Sequence, residues 1–248
     1  MTWSILARDE DGRFGVAIAS RFFAVGALCV HTRRSVGALS TQALMNPLYG
    51  PLGMQGLAQG AAPSEVVARL TQADAGRAHR QVHVLDAMGA AAAHTGSDCI
   101  GWCGHVAGAG FSVAGNMLVG EAVLEATVAA YLAAAGRPLA ERLIAAMAAG
   151  EAQGGDKRGK QSAALRIHAE EDYPALDIRV DDHAEPIDEL HRLYLKSLER
   201  FQPFVACLAG RLDPVGLIDR AAIEETVLRF HAAQAARGAS AEPESASK

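Results

Sequence analysis

Thr2-Trp3-Ser4-Ile5-Leu6-Ala7-Arg8-Asp9-Glu10-Asp11-Gly12-Arg13-Phe14-Gly15-Val16-Ala17-Ile18-Ala19-Ser20 is a hairpin written out in order. Trp3 to Ala7 is an apolar run, Asp9 to Gly12 supplies turn chemistry, and Phe14 to Ala19 resumes the run with β-branched members. A strand therefore begins at the second residue of the chain. Two more strands are predicted over Ala27 to His31 and Val36 to Thr41, set off by Gly26 and Gly37, so the chain opens with a four-strand block.

Outward from that block the period changes. Leu52, Leu57, Val66, Val67 and Leu70 recur at helical spacing, and Pro63-Ser64-Glu65 is a helix start, which predicts helices over 49–59 and 63–74. Strands follow at Gln81 to Leu85 and Ala90 to Thr95, with a glycine-punctuated pair within 104–114. The alanine-rich stretch from Leu118 to Gly150 is cut into two helices by Gly136-Arg137-Pro138, because proline suits a helix start and not its interior. Paired strands are predicted at Ser162 to His168 and Ala175 to Val180. A helix follows from Pro186 through about Cys207, and another from Arg220 to Ala236. This order lacks the regular alternation of a doubly wound parallel sheet. It predicts an α+β fold, a four-layer αββα sandwich of two antiparallel sheets between helical layers, in one domain over 1–236. The Ala/Ser/Glu/Pro-rich segment 237–248 is expected to be a disordered tail.

Half of the 248 residues are apolar, enough for a sizeable core, and the formal charge is −5 with both signs interleaved. Nothing in that balance calls for nucleic acid or an anionic membrane. The N-terminus has no basic lead and no signal-peptide apolar core, so the chain is expected to be cytoplasmic. Glu121, Glu125, Arg137, Glu141 and Arg142 interrupt the alanine-rich stretch before the roughly 20 residues a membrane span needs. Cys29, Cys99, Cys103 and Cys207 are too scattered for a disulfide framework. Cys99 and Cys103 with His94 and His105 invite a zinc reading, but the spacing departs from the usual ribbon and no second cysteine pair follows, so no metal is expected. The composition calls for no cofactor; the expected partner is a small molecule, with a homo-oligomer compatible with the pattern.

Phosphate-loop, nucleophile-elbow, zincin and dinucleotide motifs are all absent. What remains is Thr2. A small residue after Met1 is a substrate for methionine removal, which leaves a free α-amine whose reference pKa of about 7.7–8.0 suits a general base within reach of its own hydroxyl. One residue then supplies nucleophile and base.

Thr2-Trp3-Ser4-Ile5-Leu6-Ala7-Arg8-Asp9, the run Gly15 to Gly26, Thr41-Gln42-Ala43-Leu44 with Asn46-Pro47-Leu48-Tyr49-Gly50, Gly115-Asn116-Met117-Leu118 and the segment Gly154 to Ala164 together resemble the DUF1028 family, as do Cys99, Trp102 and Gly104-His105. The resemblance runs from Thr2 to about Val180. It implies a fold similar to the N-terminal-nucleophile (Ntn) hydrolases and an amidohydrolase acting on a C–N bond of a small substrate, with no general substrate known.

In that hydrolase class an Asn side chain and a backbone N–H commonly hold the oxyanion, which makes Asn116, with Gly115, the candidate. Ser20 and Arg21 end the second strand, where Arg21 would lower the amine's proton affinity or pair with Asp9 or Asp156. Gln42 and Asn46 present amides to a substrate or, for Asn46 ahead of Pro47, cap a helix. In the glycine-rich loop 154–162, Asp156 is a candidate anchor for the Thr2 amine and Arg158 or Lys160 for a substrate carboxylate; a solvated surface loop is the competing account. The alternative to catalysis is a non-catalytic module binding a small anionic ligand through Arg21 and this loop.

Overall fold

The computed structural model describes residues 2–241, with side chains through Arg237. The chain forms two compact units, one ending at Arg192 and one starting at Leu193. Of the expected tail, 242–248 lies outside the described residues, and the last helix, expected to stop at Ala236, runs to Ala241.

The first unit holds β1 (Thr2–Arg8), β2 (Phe14–Ser20), α1 (Gly26–Cys29), β3 (Val30–Arg33), β4 (Gly37–Ala43), α2 (Tyr49–Ala58), α3 (Pro63–Gln72), β5 (Arg80–Asp86), β6 (Ala91–Thr95), β7 (Trp102–Gly108), β8 (Phe111–Leu118), α4 (Ala122–Ala133), α5 (Leu139–Ala152), β9 (Ser162–His168) and β10 (Leu176–Val180). Then come α6 (Pro186–Glu199), α7 (Phe201–Val205) and α8 (Arg220–Ala241).

Among the described residues the strands make two antiparallel sheets, in the orders β10-β9-β2-β1-β8-β7 and β3-β4-β5-β6. The opening four-strand block is therefore divided between the sheets. Its first hairpin occupies the centre of the six-stranded sheet and its second lies in the other.

Alternation sorts each strand's side chains. On β1, Thr2, Ser4 and Leu6 face the second sheet, since Ser4 hydrogen-bonds Ser40, Gln42 and His83 and Leu6 joins the core with Ala38 and Leu85. That core, completed by Phe14, Val16 and Ile18, is apolar away from the Thr2 end and polar near it. On the other face, α5 packs on β1, β2 and β9, and α4 on β8. The outer face of the four-stranded sheet is covered by α2 and α3 through Leu57, Val66, Val67 and Leu70 against Leu39, Val82 and Val84.

Two expectations need correction. The strand predicted over Ala27 to His31 begins only at Val30, because Ala24 adopts φ 52 and the next residues close a helical turn, with Cys29 N–H donating to the Val25 carbonyl at 3.3 Å. The helix predicted from Pro186 through Cys207 stops at Glu199. Arg200, at φ −148, breaks it, and Pro203 has no N–H and a ring that obstructs helix running through it.

Candidate functional site

Thr2 stands at the start of a central strand, directly opposite Ser20 at the end of β2 and Asn116 near the end of β8. Its side chain points between the sheets and the residue is 6% exposed. Thr2 Oγ1 and Ser20 Oγ share a hydrogen bond of 3.0 Å. The three residues are brought together by antiparallel register alone, which a hairpin starting at residue 2 makes possible.

Behind the threonine lies a buried amide and hydroxyl network. Gln81 Nε2 donates to the carbonyls of Gly104 (3.0 Å) and Gly115 (2.8 Å) and to Thr95 Oγ1 (2.9 Å), so its Oε1 is turned the other way. That oxygen accepts from Gln42 Nε2 at 2.8 Å and from Asn116 Nδ2 at 3.0 Å. Both amides also donate to the Thr2 carbonyl, at 3.5 Å and 3.3 Å. The consequence for Asn116 is directional: its nitrogen serves Gln81 and Thr2, and its buried Oδ1 has no partner among the described residues.

Deeper in, Ser4 Oγ donates to Gln42 Oε1 at 2.7 Å and meets His83 Nε2 at 2.8 Å, while His83 Nδ1 meets Ser112 Oγ at 3.0 Å. With its one hydrogen given to Gln42, Ser4 receives His83 Nε2–H, and the imidazole is neutral. Burial pushes the His83 pKa down to about 3.

Asn116 and Met117 stand opposite the single Cys103, a bulge that interrupts the pairing before it resumes at Trp102 opposite Leu118. Met117 at φ 55 and Ala43 at φ 66 are non-glycine residues in the left-handed region, a conformation costing about 1–3 kcal/mol each that concentrates at functional sites. Both line a cleft of ≈ 260 Å³ together with Leu44, His79, Asp98, Cys99, Ile100 and Asn116.

The glycine loop takes a different place from the one expected. Asp156, 6% exposed, accepts the backbone N–H groups of Arg21 (2.8 Å) and Arg158 (2.8 Å) and pairs with the Arg158 guanidinium at 3.2 Å. It therefore ties the end of β2 to the loop; no contact with Thr2 is seen among its hydrogen bonds. The Arg21 side chain is exposed and donates to the Lys160 carbonyl at 3.3 Å. Lys160 is held by Glu151 (3.0 Å) and Glu185, with the Glu185 hydrogen bond raising its pKa. Burial raises the Glu151 pKa, opposed by Lys160. A small cavity of ≈ 150 Å³ on the helical side of the sheet lies among Trp3, Ser20, Glu151, Asp156 and Lys160.

Asn46 stands apart. Its Oδ1 accepts the Leu48 N–H (3.1 Å) and its Nδ2 donates to Asp74 (3.1 Å), so it organises the start of α2; the Asn46 hydrogen bond and others hold the Asp74 carboxyl well below the usual range. A cavity of ≈ 450 Å³ between α2 and α3 shares only Asn46 with the residues expected from sequence. His94, Cys99, Cys103 and His105 do not converge: His94 meets the Arg77 carbonyl, His105 meets Thr95, and no group of three metal-ligating side chains occurs among the described residues. No helix among them is long and apolar enough to cross a membrane.

Sequence reasoning brings Thr2, Ser20, Gln42, Gly115 and Asn116 together, and misses Ser4, Gln81, His83 and Ser112. A signal for them was present. In β5 the polar Gln81 and His83 alternate with Val82 and Val84, which marks a polar face inside a buried strand.

The family model of DUF1028, described as a family of unknown function, matches residues 2–190. The crystal structure of protein SPO2555 from Silicibacter pomeroyi, of the same family model, is 32% identical, covers 88% of this chain and 99% of its own, and superposes with a TM-score of 0.81. The Anbu (ancestral beta-subunit) from Yersinia bercovieri, 11% identical over 79% of this chain and 94% of its own, has a TM-score of 0.37, which supports no inference. No curated protein matches the chain.

Proposed function

The chain belongs to the DUF1028 family, whose function is unknown, and from that premise we propose that it is an Ntn-type hydrolase of a C–N bond in a small substrate, with Thr2 as nucleophile once Met1 is removed. The reading includes a four-layer αββα arrangement of the two sheets and their helices. The observation that carries it is Thr2 itself: a hydroxyl at the second residue of the chain, inside the mouth between two sheets, 3.0 Å from Ser20 Oγ and backed by a buried polar network.

In the proposed reaction the free α-amine takes the Thr2 Oγ1 proton as that oxygen bonds to the substrate carbonyl carbon. The C–N bond then breaks, the leaving nitrogen departs with the proton, and water hydrolyses the resulting ester. Ser20 orients the attacking hydroxyl. Gln42 and Asn116 hold the Thr2 carbonyl and so position the residue. Asn116 Nδ2 is engaged by Gln81 and the Thr2 carbonyl, so the oxyanion role expected of it requires that nitrogen to leave Gln81. Arg21, Asp156, Arg158 and Lys160 support the end of β2.

Turnover of a panel of small amides and anilides tests the proposal. Thr2→Ala should fold normally and lose activity on the order of a thousandfold or more. Full activity in that variant overturns the nucleophile. Loss of all turnover in the wild type alongside tight binding of an anionic metabolite would support the non-catalytic ligand-binding module.

A further inference from the structure

At Asn116, the register partner of Thr2, the cleft of ≈ 260 Å³ has a wall of unusual composition for a polar active site. Ala43, Leu44, Ile100 and Met117 make it apolar, and Leu44 and Ile100 are 64% and 65% exposed. Of its ionisable lining residues, His79 and Asp98 face each other, with Nε2 and Oδ2 3.5 Å apart. Asn116 is the one buried polar side chain on the wall, and the amide chain through Gln81 and Gln42 leaves its Oδ1 as an acceptor without a donor among the described residues. A buried acceptor left without a donor is one that a ligand N–H beside an apolar group would satisfy.

Resting on the reading of Thr2 as nucleophile, we propose that this cleft selects the substrate: an N-acylated, peptide-like amide whose apolar side chain, of leucine size, fills the Leu44–Ile100–Met117 wall and whose N–H donates to Asn116 Oδ1. The cleft is too small for a bulky ligand, since sites for drug-sized molecules run from about 300 Å³ upward. Two of the four non-glycine residues at positive φ among the described residues, Ala43 and Met117, belong to it, which ties their backbone cost to the shape of this pocket. The side chain Asp98 disfavours an acidic substrate group.

Binding to the Thr2→Ala protein, measured by calorimetry, separates this proposal from catalysis, because that variant keeps the cleft and lacks the nucleophile. The probes are N-acetyl-L-leucinamide, its N-methylated form at the acetylated nitrogen, and the glutamate analogue. The leucine probe should bind about tenfold tighter than the glutamate probe, and Ile100→Glu, an exposed position, should erase most of that preference without lowering Tm. N-methylation should weaken binding about fivefold or more. Equal affinity for leucine and glutamate probes, undiminished affinity of the N-methylated probe, or no binding at all overturns the proposal. Hydrolysis of anilides by the wild type reads the Thr2 assignment separately: turnover without side-chain preference leaves the nucleophile standing and removes the cleft's role.

Discussion

A threonine hydroxyl is a weak nucleophile, and what distinguishes Thr2 is the company of its carbonyl as much as of its oxygen. Gln42 and Asn116 grip that carbonyl, and both are held in turn by Gln81. Thr2→Ser keeps the hydroxyl and is expected to retain measurable turnover where Thr2→Ala does not; equal loss in both would count against the mechanism. Gln81→Leu takes one acceptor from each of Gln42 Nε2 and Asn116 Nδ2 and a donor from the Gly115 carbonyl, and should destabilise the protein by about 2–4 kcal/mol in denaturant unfolding. A change under about 0.5 kcal/mol would mean the network is not stabilising. His83 gives a pH dependence. Folded His83 refuses a proton until about pH 3, while an unfolded histidine accepts one near 6.5, so its contribution is whole above 6.5 and shrinks as pH falls toward 3. Tm should decline over that window, less steeply in His83→Gln. The slope will not vanish there, since burial lowers the pKa of His31, His105 and His168 as well. An unchanged slope would contradict the assignment.

The elements were legible where period and punctuation agreed. β1 and β2 follow from alternating apolar runs around an Asp/Gly turn, and α4 and α5 from an alanine-rich stretch cut by Gly136 and Pro138. Packing between the sheets was less so: nothing local in the sequence says that β5 lies against β1 and β8, which is why Gln81 and His83 were missed while Ser20, joined by the hairpin, was found. The helical turn α1 was missed because it depends on Ala24 at positive φ and on a close approach at Gly26, where a Cβ would lie 2.3 Å from that of Ala164. The loop 154–160 was legible as a charged glycine loop, but Asp156 pairs with Arg158 inside it and Lys160 with Glu151 and Glu185 outside it. Packing between α5 and β2 offers a direct check. A Cβ at Gly15 would come within 2.4 Å of Leu143 Cδ1, a residue with no exposed surface. Gly15→Ala should cost about 1–3 kcal/mol by overpacking and Leu143→Ala about 2–5 kcal/mol by leaving a cavity. The double variant should be more stable than the sum predicts by about 1 kcal/mol. Strict additivity would show that the two do not share this contact.

At the level of the whole chain, the proposed site, its network and the family match all fall before Arg192. The segment 209–219 is irregular, and most of it is exposed, including Arg211 and the fully exposed Leu212. Limited trypsin treatment should therefore cut after Arg211 before it cuts within the strands of the first unit. Early cleavage inside β1 to β8 would contradict the division. The net charge of −5, with both signs dispersed, matches a protein whose ligand is small rather than polyanionic. Everything proposed for Thr2 nevertheless depends on a free amine. The most direct test is the intact mass of the active protein, purified without an N-terminal tag from cells with normal methionine aminopeptidase. The account predicts a chain that begins at Thr2, with turnover tracking that species; full activity in a population that keeps Met1 would contradict it.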